Sequence, residues 1–124
     1  MTNDLPPIYA TSEDYERLSA LRGKLRPGPG ARLLFEELTR LQLAAPDAEP
    51  FARLGARVRY LNAQSQRIKT ARLVLPEDEK LHESSVTVTS PMGAALLGLQ
   101  AGSEFTWRDH GGARRGVTML EVLD

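Results

Sequence analysis

The stretch from Ser90 to Trp107 places a helix start, a helix stop and a strand next to one another in the sequence. Ser90 can cap a helix, and Pro91 suits the first helical position, where its missing N–H costs nothing and its fixed φ is already helical. Gly98 supplies the stop. The predicted helix is too short to be stable alone and is apolar over residues 94–97, so it must pack against a sheet. This part of the chain therefore predicts a helix held on a β-sheet.

Alternation of apolar and polar residues predicts the strands of that sheet. Val58 and Tyr60 alternate with arginines, and residues 66–75 continue the pattern with one irregularity. In this second strand, the residues expected on one face are Ile68, Ala71, Leu73 and Leu75. Further strands are predicted at Val86 and Val88, at Phe105 and Trp107, and over residues 117–123, the last two joined by a hairpin through residues 109–112. The predicted fold class is α+β, with a small, mostly antiparallel sheet that carries one short helix.

Two helices are predicted in the first part of the chain. Thr11 and Asp14 match a capping box, and an apolar stripe then indicates a helix over about residues 12–25. Prolines and glycines at residues 26–30 end it. A second apolar stripe, formed by Leu34, Leu38 and Leu41, indicates a second helix that ends before Pro46. A loop this short makes the helices antiparallel neighbours in a short, coiled-coil-like hairpin.

The remaining N-terminal residues and the linker set the expected domain boundaries. Residues 1–10 contain adjacent prolines and few other signals, so they are expected to form a loosely tied arm. Residues 44–50 contain two prolines and two acids and are expected to be a linker. The predicted units are 1–46, the arm and helical hairpin, and 51–124, the sheet domain.

The composition excludes several classes of function. With no cysteine, the chain has no disulfide, no thiolate metal site and no cysteine nucleophile. Its two histidines, His82 and His110, are far apart in sequence and expected in exposed loops, so neither a metal site nor a catalytic role is predicted for them. No apolar run approaches the roughly 18 residues that span a bilayer, and the N-terminus lacks a secretory pattern. These features predict a cytoplasmic protein with no membrane contact and no cofactor.

The run Met92-Gly93-Ala94-Ala95-Leu96-Leu97-Gly98-Leu99, with strands on both sides and the later Trp107, resembles the C-terminal domain of the bacterial Gre transcript-cleavage factors. It is more similar still to the related regulators of nucleoside diphosphate kinase. The resemblance covers about residues 55–123 and is only architectural over the N-terminal helices. It implies an FKBP-like fold for the sheet domain, and it implies RNA polymerase as the partner. In Gre factors the helical hairpin enters the polymerase secondary channel, the globular domain docks on the channel rim, and acidic residues at the hairpin tip help hold a catalytic magnesium ion.

The chain departs from the cleavage-factor pattern in its first helices. Residues 17–35 contain no aspartate or glutamate, whereas Mg²⁺ and the water it activates require oxygen ligands. The first predicted helix is about 20 Å long, several turns shorter than the arm of a Gre factor. The sequence therefore predicts a non-enzymatic transcription regulator that binds RNA polymerase at the secondary channel and competes with Gre factors without stimulating transcript cleavage. By the resemblance, it is also linked to regulation of nucleoside diphosphate kinase.

Two groups of residues are the candidate contacts with polymerase. One surrounds the start of the short helix and comprises Ser90, Pro91, Met92 and Gly93. The other, which we call the basic turn, comprises Arg22, Lys24, Arg26 and Arg32. Capping alone would explain Ser90 and Pro91, and a solvated helix end, whose dipole favours cations, would explain the basic turn. Trp107 is expected to be a core aromatic.

Two alternative functions stay open at this point. An FKBP-like fold would permit peptidyl-prolyl isomerase activity. The pockets of such isomerases are lined by clustered aromatic side chains, however, and only 6% of the residues in this chain are aromatic. An RNA-binding module would use the basic turn, although no aromatic residues are interleaved there for base stacking. Each alternative has its own assay, isomerisation of a proline peptide for the first and salt-dependent RNA binding without polymerase for the second.

Overall fold

The computed structural model describes residues 5–81, 84–109 and 111–123. Within these ranges the chain is a mixed α+β protein with three α-helices and seven β-strands. The helices are α1 (Ser12–Arg22), α2 (Pro29–Leu38) and α3 (Pro91–Leu96). The strands are β1 (Ile8–Ala10), β2 (Leu41–Leu43), β3 (Arg57–Asn62), β4 (Arg67–Val74), β5 (Ser85–Thr87), β6 (Glu104–Arg108) and β7 (Arg114–Val122). A 3-10 helix spans Pro76–Leu81. His82 and His110 lie outside the described residues.

A five-stranded sheet with the order β5-β4-β3-β7-β6 forms the centre of the structure. Its neighbouring strands are antiparallel except β4 and β5, which are parallel. Helix α3 packs on one face of this sheet, where the side chains of Val58, Leu73, Val117 and Met119 are buried. The prediction of a small, mostly antiparallel sheet that carries one short helix is confirmed.

The hairpin between β3 and β4 extends beyond the core. Residues 63–70 are all exposed, and the side chain of Ile68 is 61% exposed. The prediction that Ile68 shares the buried face with Ala71 and Leu73 is therefore wrong. The pairing of β4 with β3 is regular from Arg67 to Arg72, without the predicted irregularity, so Ile68 lies on the opposite face of the sheet from Ala71.

The N-terminal segment is part of the core from residue 8 onward. Ile8 is fully buried in β1, which pairs in parallel with β2. On its other side, the Tyr9 N–H donates to the carbonyl oxygen of Gly98 at 3.0 Å. The prediction of a loose arm is wrong for these residues, because the sequence gives no local sign of a partner so distant in the chain.

The two N-terminal helices are shorter than predicted. Helix α1 ends at Arg22, and α2 ends at Leu38 well before Pro46. Leu41, which continues the helical stripe in the sequence, is instead buried in β2 opposite Ile8. Pairing with β1 overrides the helical periodicity there. Helix α2 packs more extensively on α3 than on α1, so the coiled-coil-like hairpin stays a prediction.

One hydrophobic core joins both parts of the chain. It includes Ile8, Leu18 and Leu34 from the first predicted unit and Leu73 and Met119 from the second. The division into 1–46 and 51–124 stays a prediction about folding units. In the part of the chain that the structure describes, no helix combines the length and apolar character needed to cross a membrane.

Asp14 ties α1 to the chain segment before β3. Its own N–H donates to Thr11 Oγ1 at 3.1 Å, as the predicted cap requires. Its carboxylate does not return to the cap but accepts a hydrogen bond from the Leu54 N–H at 3.0 Å. Burial raises the pKa of Asp14, although the Leu54 N–H and the charge of Arg17 act in the opposite direction.

We expect Asp14→Ala to destabilise the protein by about 1 to 3 kcal/mol, because it leaves the Leu54 N–H without its acceptor. Asp14→Asn keeps an acceptor oxygen and carries no charge. Since the raised pKa means that folding disfavours the ionised form, this group's stabilising contribution is present below its ordinary pKa and is lost as the pH rises through the raised value. The asparagine variant should therefore be at least as stable as the parent at neutral pH. Urea denaturation of both variants checks this, and equal losses for asparagine and alanine would contradict it.

Candidate docking surface

The start of α3 is fixed by Ser90. Its Oγ accepts a hydrogen bond from the Gly93 N–H at 3.1 Å and donates to the carbonyl oxygen of Thr87 at 2.7 Å. Pro91 occupies the first turn, and the helix ends at Leu96, before Gly98 with its φ of +73°. The predicted start and stop of this helix are confirmed.

The four residues predicted around this helix start differ in accessibility. Pro91 is exposed, Ser90 and Met92 are half-buried, and Gly93 is buried. A Cβ atom at Gly93 would lie 1.8 Å from the carbonyl oxygen of Thr87. Gly93 therefore allows the close approach of α3 to β5, while Pro91 and Met92 offer side-chain surface to a partner.

Helix α2 begins directly against the loop before α3. A Cβ atom at Gly30, the second residue of α2, would lie 1.9 Å from the carbonyl oxygen of Thr89. Only glycine permits this contact. It places the first turn of α2, with Pro29 and Arg32, beside Ser90 and Pro91.

Two grooves meet at Pro91 as a result. The larger, of about 910 Å³, has a lining that includes Arg32, Pro91, Met92 and Trp107. The smaller, of about 530 Å³, has a lining that includes Lys24, Arg26, Thr89 and Pro91. Most of the basic turn and the exposed start of α3, distant in sequence, thus form one continuous surface. We call it the docking surface and define it as Lys24, Arg26, Pro29, Arg32, Pro91 and Met92.

Arg22, the remaining predicted basic residue, lines neither of these grooves. Its guanidinium carbon lies 4.5 Å from the centroid of the Phe35 ring, a cation–π geometry. Phe35 is 46% exposed and was not among the predicted contact residues. One signal could have identified it, since Phe35 is a large apolar residue outside the Leu34 and Leu38 stripe.

Trp107 is only partly a core aromatic. It is half-buried, and its ring stacks on the buried ring of Phe105 with centroids 5.8 Å apart and planes inclined by 17°. Because β6 is an edge strand, one side of the tryptophan stays open to the larger groove. The aromatic pair lines the same groove as Pro91 and Met92.

The acids near the larger groove are engaged by arginines. Glu37 is buried, and both of its carboxylate oxygens accept hydrogen bonds from Arg40, at 2.6 and 3.1 Å. Burial raises the pKa of Glu37, and Arg40 opposes that shift. Glu36 pairs with Arg32 at 3.6 Å. Within the described residues, no three acidic or histidine side chains converge in an arrangement that could hold a metal ion.

Comparison with known proteins identifies relatives over nearly the whole chain. Residues 47–124 match the family model described as transcription elongation factor GreA/GreB, C-terminal region. A regulator of nucleoside diphosphate kinase from Escherichia coli is 32% identical over 123 residues, which cover 96% of this chain and 88% of that protein. A transcription elongation factor GreA from Syntrophus aciditrophicus is 31% identical over 109 residues, which cover 88% of this chain and 63% of that protein.

A solved structure agrees with these matches. The prokaryotic transcription elongation factor GreA/GreB from Nitrosomonas europaea superposes with a TM-score of 0.69 and 32% identity, covering 96% of this chain and 99% of that one. The family match begins at residue 47, within the linker predicted at residues 44–50, and includes the sheet and α3. The chain therefore belongs to the GreA/GreB family.

Proposed function

We propose that this protein is a transcription regulator that binds RNA polymerase at the rim of the secondary channel and competes there with Gre factors. It does not stimulate transcript cleavage. The names of its relatives, transcription elongation factors and a regulator of nucleoside diphosphate kinase, support a role in transcription. They also support a link to nucleoside diphosphate kinase. By occupying polymerase, the protein would change the expression of that enzyme.

The observation that carries the proposal is the continuity of the docking surface. Polymerase contact was expected from two separate stretches of sequence, and the close approach at Gly30 brings most of their exposed residues together. A partner that covers Pro91 can therefore contact Lys24, Arg26 and Arg32 at the same time. The apolar start of α3 would supply affinity, and the cations would steer the encounter with an acidic surface.

The absence of cleavage activity follows from the residues at the basic turn. No carboxylate occurs between Glu16 and Glu36, and Glu36 is paired with Arg32. Helix α1 has 11 residues, so it is about 16 Å long. A basic turn packed beside the start of α3 can occupy the rim of a channel, but it offers Mg²⁺ no carboxylate ligands.

A competition assay with purified core polymerase tests the proposal. We expect the protein to be retained by immobilised polymerase, and an excess of Gre factor to displace it. In backtracked complexes it should not accelerate release of short RNA fragments, and it should slow the release that a Gre factor stimulates. The Gre factor alone serves as the positive control. Failure to bind, binding indifferent to the competitor, or accelerated cleavage would each overturn the proposal.

A further inference from the structure

Strand β6 forms one edge of the five-stranded sheet, and within the described residues it pairs only with β7. At one end of this pairing the Met119 N–H donates to the carbonyl oxygen of Ser103 at 2.9 Å. At the other end the Asp109 N–H donates to the carbonyl oxygen of Ala113, also at 2.9 Å. Hydrogen-bonded pairs alternate along an antiparallel ladder. The residues whose backbone N–H and C=O groups point away from β7, which we call the free edge, are therefore Glu104, Thr106 and Arg108.

The side chains of β6 are divided between the two faces of the sheet. Phe105 is buried and Trp107 is half-buried on the side of the core. The three side chains of the free edge are exposed on the other side. Glu104 and Arg108 lie at opposite ends, with Thr106 midway between them. An antiparallel copy of the strand presents the base where the original presents the acid, so the free edge is complementary in charge to itself.

The pairing of β6 with β7 leaves Arg108 beside another cation. Arg108 is directly opposite Arg114, and like charges in such positions destabilise a sheet. Nη1 of Arg108 donates to the carbonyl oxygen of Gly112 at 3.0 Å, which uses one of the five N–H donors of a guanidinium group. A carboxylate on the side of Arg108 that faces away from β7 would accept from the others and offset the repulsion. Glu104 of a second copy is placed to supply that carboxylate.

We propose that two copies of this chain associate through their free edges, as antiparallel neighbours related by a two-fold axis at Thr106. Each Glu104 then lies directly opposite Arg108 of the second copy, and the backbone groups of the two edges are hydrogen-bonded to each other. On the side of the core, each Phe105 lies opposite Trp107 of the second copy. The two five-stranded sheets become one continuous sheet. This inference goes beyond the proposed function and does not depend on it.

The larger groove gives the aromatic rings of a second copy a place to lie. It runs along the free edge, because its lining of about 910 Å³ includes Thr106 and Arg108 as well as Phe105. Pro91 and Met92 line the same groove. Aromatic side chains that enter it from a second copy would lose contact with water against these apolar residues, which favours association.

Charge and hydrogen bonding select one register for this pairing. A shift by two residues would separate Glu104 from Arg108 of the second copy and break both ion pairs. A shift by one residue would place outward-pointing backbone groups opposite groups that are already bonded to β7. The association is also closed, because each copy has one β6 and uses its whole free edge. The expected product is a dimer and not a fibre.

Sedimentation equilibrium over a range of concentrations tests the inference, and we expect the parent to show a reversible equilibrium between monomer and dimer. Glu104→Arg or Arg108→Glu alone turns both opposite-charge pairs into like-charge pairs, so each should weaken association about tenfold or more. In an equal mixture the two single variants can form a heterodimer that restores both pairs, so association should recover. The control Glu49→Arg makes the same charge change as Glu104→Arg at an exposed position away from β6 and should associate like the parent.

A backbone variant tests the hydrogen bonds separately from the charges. Thr106→Pro removes the N–H that lies on the proposed axis, whereas the bonds between β6 and β7 do not use it. Proline is tolerated in an edge strand when its nitrogen faces outward, so circular dichroism should show a folded protein. We expect this variant to be monomeric. It should still bind RNA polymerase, because Thr106 is not part of the docking surface.

Four results would overturn the inference. The first is a parent that has the mass of one chain at every concentration, and the second is a folded Thr106→Pro variant that dimerises as strongly as the parent. The third is a mixture of Glu104→Arg and Arg108→Glu that associates no better than either variant alone. The fourth is an equal loss of association in the Glu49→Arg control. Since none of these measurements of mass uses polymerase, the inference and the proposed function can fail independently.

Discussion

Replacing Gly30 with alanine should destabilise the protein by about 2 to 3 kcal/mol or more, the upper part of the range of about 1 to 3 kcal/mol found when a packed interior is overfilled. The added Cβ would lie 1.9 Å from the Thr89 carbonyl oxygen, and the atoms it meets are backbone, which cannot rotate away. In an exposed helix the same change would be favourable by about 0.8 to 1 kcal/mol. The sign of the effect therefore reports directly on the contact between α2 and the loop before α3. Thermal unfolding should show a melting temperature lower by about 10 °C.

Gly28→Ala is the matched control for this variant. Gly28 precedes the same helix, its φ of 162° is extended backbone, and a Cβ there would meet no atom within 4 Å. Gly28 is the N-cap of α2 and alanine is a poorer cap, so we expect a loss of no more than about 1 kcal/mol. Similar melting temperatures for the two variants would mean that α2 does not press against Thr89, and that the two halves of the docking surface are not held together.

Replacing Pro91 with aspartate should weaken binding to RNA polymerase about tenfold or more. Pro91 is exposed, and aspartate is favourable in the first turn of a helix, so the fold should be preserved. The new charge would enter a contact that loses its water on binding, which costs on the order of 2 kcal/mol. Affinity measured by biolayer interferometry with immobilised core polymerase checks the expected decrease.

The control for this change is Pro46→Asp. Pro46 is also an exposed proline, but it lies in the segment between β2 and β3, outside the docking surface. We expect its affinity to equal that of the parent. If the Pro91 variant is folded by circular dichroism and binds as tightly as the parent, the polymerase contact must lie on another surface of the protein.

Local signals in the sequence predicted the parts of the fold that depend on near neighbours. Ser90 and Pro91 specify a helix start by their own chemistry, and Gly98 specifies a stop. Alternation identified β3 because one face of that strand is buried along its length, as Val58 and Tyr60 show. The α+β class followed from these elements, while the FKBP-like description stays a prediction.

The sequence was less informative where distant segments meet. Strand β1 forms because Leu41 and the residues around Leu99 pair with it. The residues next to Ile8 in the sequence do not indicate either partner. The docking surface depends in the same way on a backbone contact between Gly30 and Thr89. Residue types alone suggested both halves of that surface. Their proximity is a property of the tertiary structure, as is the cation–π contact between Arg22 and Phe35.

Strand β1 also has a consequence for how the chain is made. Ile8 is translated well before the segment around Leu99 that bridges to it. Joining two segments so far apart in sequence costs chain entropy, and contacts between such distant segments form slowly. Strand β1 therefore lacks this contact, and its apolar side chains stay uncovered on that side, until the segment around Leu99 has been translated. During that interval β1 is available to a chaperone.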